Sequence, residues 1–266
     1  MATARALRPR EKRRFKTLRT IFALLMREMA ATYGRSVGGY FWAVAEPVAG
    51  IALLSIVFSL AFRNPPIGTN FAIFYTTGLL PLFLFNDVSA KTANSLVFSK
   101  QLLAYPGVTF IDTIFARFIL SVATHFMIFV LLTSAILEYF DIRAILNFGA
   151  IFRSLAMAAA FGLGVGTLNC FLFLVFPIWR SLFSALSRPL FLVSCVLFLL
   201  ESVPDPYRWY LWFNPVAHVT GEMRNGFYAG YDAVYVSEAY VFGVSGVLFV
   251  LGLLLLKRFH SDLLNR

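Results

Sequence analysis

Charge is scarce in this chain. Only 14% of its 266 residues are Asp, Glu, Lys or Arg, against about 25% in a soluble domain. With 59% apolar residues, a water-soluble globular protein is excluded and an integral membrane protein is expected. Acidic residues are scarcer than basic ones, 13 against 23, for a net charge of +10. In a soluble chain that balance would point to nucleic acid, but no basic-aromatic domain outside the apolar segments could hold one. Cysteine is almost missing. Cys170 and Cys195 lie inside apolar runs and read as small buried hydrophobes, neither a disulfide framework nor a metal site. His125, His218 and His260 are far apart and show no ligand spacing. There is no G-x-x-x-x-G-K-[ST], so the chain cannot cradle ATP phosphates itself. There is no H-E-x-x-H, and no Ser/His/Asp set gathers on one membrane face. No cofactor and no catalytic residue is therefore expected in this chain. Few charges lie inside the apolar segments and no inverted repeat is visible, which weakens an ion-coupled carrier. The apolar stretch Ile21–Met26 is too short for a signal-peptide core, so the N-terminus is expected to stay.

What is present begins with a polycation. Eight of the first 19 residues are basic, from Arg5 to Arg19, and an amphipathic stretch, Thr20 to Ala31, follows. Six apolar segments then approach the roughly 20 residues that a helix needs to cross a bilayer core. They are Tyr40–Phe62, Phe71–Val88, Val108–Leu137, Ile151–Phe176, Leu182–Leu200 and Tyr240–Leu256. Six spans put both termini on one side. The positive-inside rule makes that side the cytoplasm. The ten Lys and Arg from Arg5 to Arg35 join Lys91, Lys100, Arg180, Arg188, Lys257, Arg258 and Arg266, 17 in all. The other side holds five, Arg63, Arg143, Arg153, Arg208 and Arg224, and Arg117 lies within a span. The expected fold is an all-α membrane protein, N-in and C-in. Residues 1–39 form a basic segment and interface helix, and 40–266 the transmembrane domain.

Several stretches depart from plain lipid-facing helix. Glu46-Pro47 falls near the inner end of the first span. Glu46 sits either at headgroup level or against a polar pathway or partner helix, and Pro47 is expected to kink the helix. Asp87 and Lys91 are spaced i, i+4 and can bridge. The loop from Thr92 to Pro106 is amphipathic, with Leu96, Val97 and Leu103 toward one face. It lies either in the interface or against another protein. Asp112 and Arg117 are five apart and poorly placed to pair with each other. Gly162-Leu-Gly-Val-Gly166 contains a G-x-x-x-G and predicts close helix packing. Phe176 to Ser181 reads as a tight turn, and Arg188-Pro189 as a kinked inner end with a snorkelling Arg. The 37 residues from Glu201 to Ser237 carry Tyr207, Trp209, Tyr210, Trp212 and Phe213, then Asn214-Pro215. A solvated loop would not hold so many aromatics. The segment is either an interfacial belt or a pair of short re-entrant helices broken at Asn214-Pro215.

Together these stretches carry a resemblance. Arg27-Glu28, Tyr33-Gly34, Gly39-Tyr40-Phe41-Trp42-Ala43 and Glu46-Pro47 resemble the entry to the first span of type-2 ABC exporter permeases. The capsular polysaccharide export permeases of Gram-negative bacteria are the nearest in pattern. Ile111 to Arg117, Phe191 to Cys195 with Ser202-Val203-Pro204, and Trp212 to Val219 match in the same order. The Asn-Pro element alone is shared with O-antigen, teichoic acid and drug exporters.

The resemblance implies an N-terminal gate helix hinged at Gly38-Gly39, a coupling helix between spans two and three, and re-entrant helices between spans five and six. On that pattern Asn94, Ser95, Phe98, Lys100, Gln101, Leu102, Leu103 and Tyr105, with Arg27 and Glu28, would touch a separate ATPase subunit that binds ATP and Mg. A second copy of the chain would complete the channel. A periplasmic co-polymerase and an outer-membrane export protein would carry an anionic, lipid-linked polysaccharide onward from the inner membrane. Candidate pathway residues are the cations Arg35, Lys91, Arg117, Arg180, Arg188 and Arg224, with Tyr40, Trp42, Glu46, Trp209, Trp212, Asn214 and His218. Competing readings are a permease for O-antigen, teichoic acid or another glycolipid, a membrane-embedded lipid enzyme, and an ion-coupled carrier.

Overall fold

Asparagine and threonine start three of the long helices. The Asn70 side chain accepts from the backbone N–H of Ala72 at 2.8 Å and opens α3 (Phe71–Ala93). Asn147 caps α7 (Phe148–Val175) through Ala150 N–H at 3.3 Å. Thr109 and Asp112 form a reciprocal capping box that starts α6 (Phe110–Tyr139). That box is the role of Asp112, which sequence reasoning missed although Thr109 stands three residues before it. The computed structural model describes residues 16–33, 39–103 and 108–264. Among these residues every regular element is helical. The others are α1 (Lys16–Tyr33), α2 (Gly39–Ala61), α4 (Ser95–Phe98), α5 (Lys100–Leu103), α8 (Pro177–Val193), α9 (Tyr207–Trp212), α10 (Pro215–Phe227) and α11 (Glu238–Leu264).

Five described helices, α2, α3, α6, α7 and α11, are long and apolar enough to cross a membrane. Inside the single chain 78% of the apolar window of α3 is buried, against 11% for α2. So α3 is the centre and α2 the rim. The fifth expected segment, Leu182–Leu200, needs correction. Its helix, α8, begins at Pro177, the favoured N1 residue, and ends at Val193 after 17 residues. Ser194 caps it, Cys195 takes a left-handed φ of 56°, and a short 3-10 turn covers Leu200–Ser202. The expected turn at Phe176 to Ser181 shrinks to Phe176 alone, because Pro177 to Ser181 already belong to α8. The helix α2 runs unbroken through Pro47.

Glycine sets the closest contacts. A Cβ at Gly162 would lie 2.9 Å from Val88, and one at Gly166 would lie 2.7 Å from Thr92, both on α3. A Cβ at Gly164 would lie 2.5 Å from the Ser245 carbonyl oxygen on α11. The G-x-x-x-G therefore packs against one helix and its middle glycine against another. Gly252 extends the α7–α11 contact, its would-be Cβ 2.7 Å from Leu168 N. The block of α3, α7, α10 and α11 holds most of the buried residues, while α8 has none. Leu182, Leu186 and Leu192 on α8, and Leu53, Ile56 and Leu60 on α2, are exposed. Cys170 and Cys195 are buried with free thiols.

Candidate functional site: two ends of the helical block

One end of the block gathers around Arg117, on the first turns of α6. Its guanidinium pairs with Glu28 of α1, donates to the Lys91 carbonyl of α3 at 3.3 Å, and lies 4.4 Å from the ring centroid of Phe98 on α4. Four elements thus meet on one side chain. Asp112, five residues earlier, takes no part in this because it caps its own helix. The expected coupling segment is two single-turn helices, α4 and α5, separated at Ser99. Leu96 is fully buried and Ser95 touches Cys170 Sγ at 3.5 Å, which fixes α4 on α7. Val97, Phe98, Lys100 and Gln101 are exposed. The side chains of Leu102 and Leu103, and all of Tyr105, lie outside the described residues. Arg27 is exposed on α1 beside half-buried Glu28.

A second polar group lies one turn deeper. Lys91 Nζ is 2.9 Å from Asp87, the bridge their spacing predicts. Asp87 also accepts from Ser121 Oγ and lies 3.3 Å from His125 Nε2, both on α6. Asp87, Lys91 and His125, with Glu46 of α2, line a cavity of about 300 Å³. Glu46 is therefore beside a polar cavity, one of the two positions open to it from sequence. Charges inside an apolar helix are retained when they pair or line a polar cavity, and this cluster is paired and borders one. Arg180 and Arg188 face another cavity, between α8 and α3. Arg35 and Gly38 lie outside the described residues, as does the side chain of Tyr40, while Trp42 is 67% exposed on the outside of α2.

The opposite end is built from α9, α10 and the turn after α8. Trp209 and Trp212 stack with centroids 5.8 Å apart, and Trp212 packs on Tyr240 at 5.1 Å. Trp209 is 61% exposed, whereas Trp212 donates its indole N–H to the Tyr235 carbonyl at 3.0 Å. The chain breaks between α9 and α10 at Phe213-Asn214, as the Asn-Pro pair predicts. Asn214 caps α10 through Val216 N–H at 3.0 Å and donates to the Val193 carbonyl at 3.1 Å. His218 is fully buried, with Nε2 2.7 Å from the Trp212 carbonyl and Nδ1 accepting from Ser237 N–H at 3.1 Å. That pattern fixes the neutral Nε2–H tautomer. Arg224 is fully buried too. It donates to the carbonyls of Phe198 and Val196 at 2.9 and 3.0 Å and lies 4.4 Å from the Phe74 ring. Asn214, His218 and Arg224 hold this end together.

Sequence reasoning missed a third charged group. Arg153 of α7 bonds Glu222 of α10 at 2.6 Å and Glu238 of α11 at 2.8 Å. Residues 69 apart carry no local spacing signal, so nothing short of the fold pairs them.

Residues 19–228 match the family model described as ABC-2 type transporter. The polysialic acid transport protein KpsM of Escherichia coli is 30% identical over 92% of this chain and 95% of its own. The capsule polysaccharide export inner-membrane protein CtrC of Neisseria meningitidis serogroup A is 27% identical over 91% and 92%. The O-antigen export system permease protein RfbA of Klebsiella pneumoniae is 22% identical over 87% and 88%. With the model covering most of the chain and the relatives matching nearly end to end, the chain belongs to the ABC-2 type transporter family, as a membrane permease related to those of capsule polysaccharide export.

Proposed function

We propose that the chain is the channel-forming permease of an exporter that moves a lipid-linked, anionic capsular polysaccharide across the inner membrane. ATP hydrolysis on a separate subunit drives it. The observation that carries the mechanism is the Arg117 junction, where α1, α3, α4 and α6 converge. The α4–α5 segment docks on the ATPase subunit through the exposed Phe98, Lys100 and Gln101, and Leu102, Leu103 and Tyr105 join the contact. A push on α4 then reaches the surface helix α1 and the long helix α6 through one guanidinium. In this reading six segments cross the membrane, α8 being the sixth, with both termini in the cytoplasm. α1 is the gate helix, and α9 and α10 enter and leave on the periplasmic side. Two copies face each other across the apolar sides of α2 and α8, which the single chain leaves exposed. Cations at the cytoplasmic mouth attract the anionic end. Exposed aromatic rings such as Trp42 and Trp209 let sugar faces slide by stacking. A periplasmic co-polymerase and an outer-membrane protein receive the polymer.

Two of the relatives are named for polysialic acid transport and capsule polysaccharide export, which favours a capsule cargo. The O-antigen relative supports a second reading, the same machine with an O-antigen, teichoic acid or other glycolipid cargo. The test is co-purification of the tagged chain with a nucleotide-binding subunit co-expressed from the same gene cluster. The wild type should retain that subunit and support surface polysaccharide. Leu102→Asp and Leu103→Asp should lose both while still reaching the membrane. If the wild-type chain carries no nucleotide-binding protein with it, the reading is wrong.

A further inference from the structure

The two bare helices carry opposite charge. Glu46 is the only charged residue of α2, and Arg180 and Arg188 are the only charged residues of α8. All three are exposed, among exposed apolar neighbours such as Trp42 and Val48 on α2 and Leu182 and Leu186 on α8. Among the described residues neither Glu46 nor Arg188 makes an ion pair. The Arg180 guanidinium lies 5.4 Å from the Phe173 ring. A charge on a helix that borders lipid is costly until a counter-charge meets it.

The cavities on the two sides of α3 repeat the imbalance. Asn86 lines both. On the α2 side Lys91 bonds Asp87, which leaves Glu46 as the surplus carboxylate. On the α8 side Arg180 and Arg188 have no acidic residue beside them in the described lining. One face of the chain is thus acidic on one flank and basic on the other. A twofold axis between two such faces sets the acidic flank of each copy against the basic flank of the other. Depth agrees with this. In the export reading α2, from Gly39, and α8, from Pro177, both start at the cytoplasmic side. Glu46 then lies about 10 Å along its helix, Arg180 about 5 Å and Arg188 about 16 Å. Glu46 falls midway, about 6 Å in depth from either cation, a gap that two long side chains can close.

We propose that Glu46 of one copy pairs with Arg188 of a second copy, so that two symmetric charge pairs join α2 to α8 across the seam; this rests on the export reading, in which two copies meet there. Arg188 is the partner because Arg180 is already engaged with the Phe173 ring. An apolar seam alone would let the two helices slide past each other. A charge pair at one depth fixes their register, the best-attested use of a buried ion pair.

The test co-expresses two full-length copies with different affinity tags, extracts them in mild detergent and measures how much of one is retained on the other. All variants are first matched for amount in the membrane fraction. Wild-type copies should be retained together. Glu46→Lys in both copies sets two cations against each other at each contact, and Arg188→Glu in both sets two carboxylates against each other. Each should cut retention about tenfold or more, the scale of like charges brought together at an interface. Glu46→Lys in one copy with Arg188→Glu in the other leaves opposite charges at both contacts. Retention should then return to within about threefold of the wild type. A pair formed inside each chain would give no such rescue in trans. Glu46→Lys in one copy with Arg180→Glu in the other should stay at the low level. Equal retention in every combination, or rescue through Arg180→Glu, overturns the proposal. If wild-type copies are not retained together, the two-copy channel of the export reading falls with it. If they are retained but charge makes no difference, this pairing alone is wrong.

Discussion

Glu28 and Arg117 fasten the surface helix α1 to α6, and the strength of that fastening can be worked out. The two side chains are 18% and 8% exposed, so water screens the pair little. An exposed ion pair contributes about 0–1 kcal/mol, and a hydrogen bond to a charged group about 1.5–3 kcal/mol. A coupling of about 2 kcal/mol is therefore expected. Arg117→Gln also loses the contact with the Lys91 carbonyl and the Phe98 ring, and leaves Glu28 without its cation. That single change should cost about 3 kcal/mol. Glu28→Gln should cost about 2 kcal/mol, because Arg117 keeps its other two contacts. The double variant should lose only about 3 kcal/mol, since the pair is already broken by either change. Unfolding in mixed micelles by titration with a denaturing detergent would give the four energies. Limited proteolysis would report α1 separately, and both single variants should release it. A coupling energy within about 0.5 kcal/mol of zero would refute the claim that this pair joins the two helices. It would also remove the mechanical route from α4 to α1.

Two further outcomes follow from the packing. Gly164→Ala should destabilise the chain by about 2 kcal/mol, because its new Cβ would meet the Ser245 carbonyl at 2.5 Å. Gly246→Ala, where nothing lies within 4 Å, should stay within about 0.5 kcal/mol of the wild type in the same detergent titration. Arg153→Gln leaves Glu222, whose side chain is 4% exposed, without its cation and should cost about 3 kcal/mol. Adding Glu222→Gln should recover most of that loss, whereas a purely surface role for Arg153 predicts no loss to recover.

What the sequence disclosed was local. Asp87 and Lys91 bridge because four residues on a helix place them together, and Asn214-Pro215 breaks the chain because asparagine caps and proline starts a helix. Gly162 to Gly166 announced close packing through the lack of side chains. The charged junctions were hidden for the opposite reason. Glu28 meets Arg117 across 89 residues, and Arg153 meets Glu222 across 69. Their partners depend on how helices are rotated against one another, which no short spacing encodes. The end of α8 was hidden differently. Phe191 to Leu200 is apolar on both sides of Val193, so hydropathy could not separate helix from the turn that follows. Only the Ser194 cap and the left-handed Cys195 mark the change. Arg224 and His218 stood out in the sequence as polar residues in an apolar setting, which attracts a pathway role. Their bonds to backbone carbonyls and amides show how much of that polarity ties irregular backbone together.

The three glycines of α7 bear on how such a protein can move. Gly162 and Gly166 seat one backbone against α3, and Gly164 seats another against α11. Flat spots of this kind fit only in register. Sliding either neighbour along α7 by a residue would bring a neighbouring side chain to where a backbone now rests. The three helices are thus keyed together like a mast and its stays, with little freedom to shear. The glycine contacts do not key α1, α2, α6 or α8, so any shear within the chain falls to those helices and not to the α3–α7–α11 block.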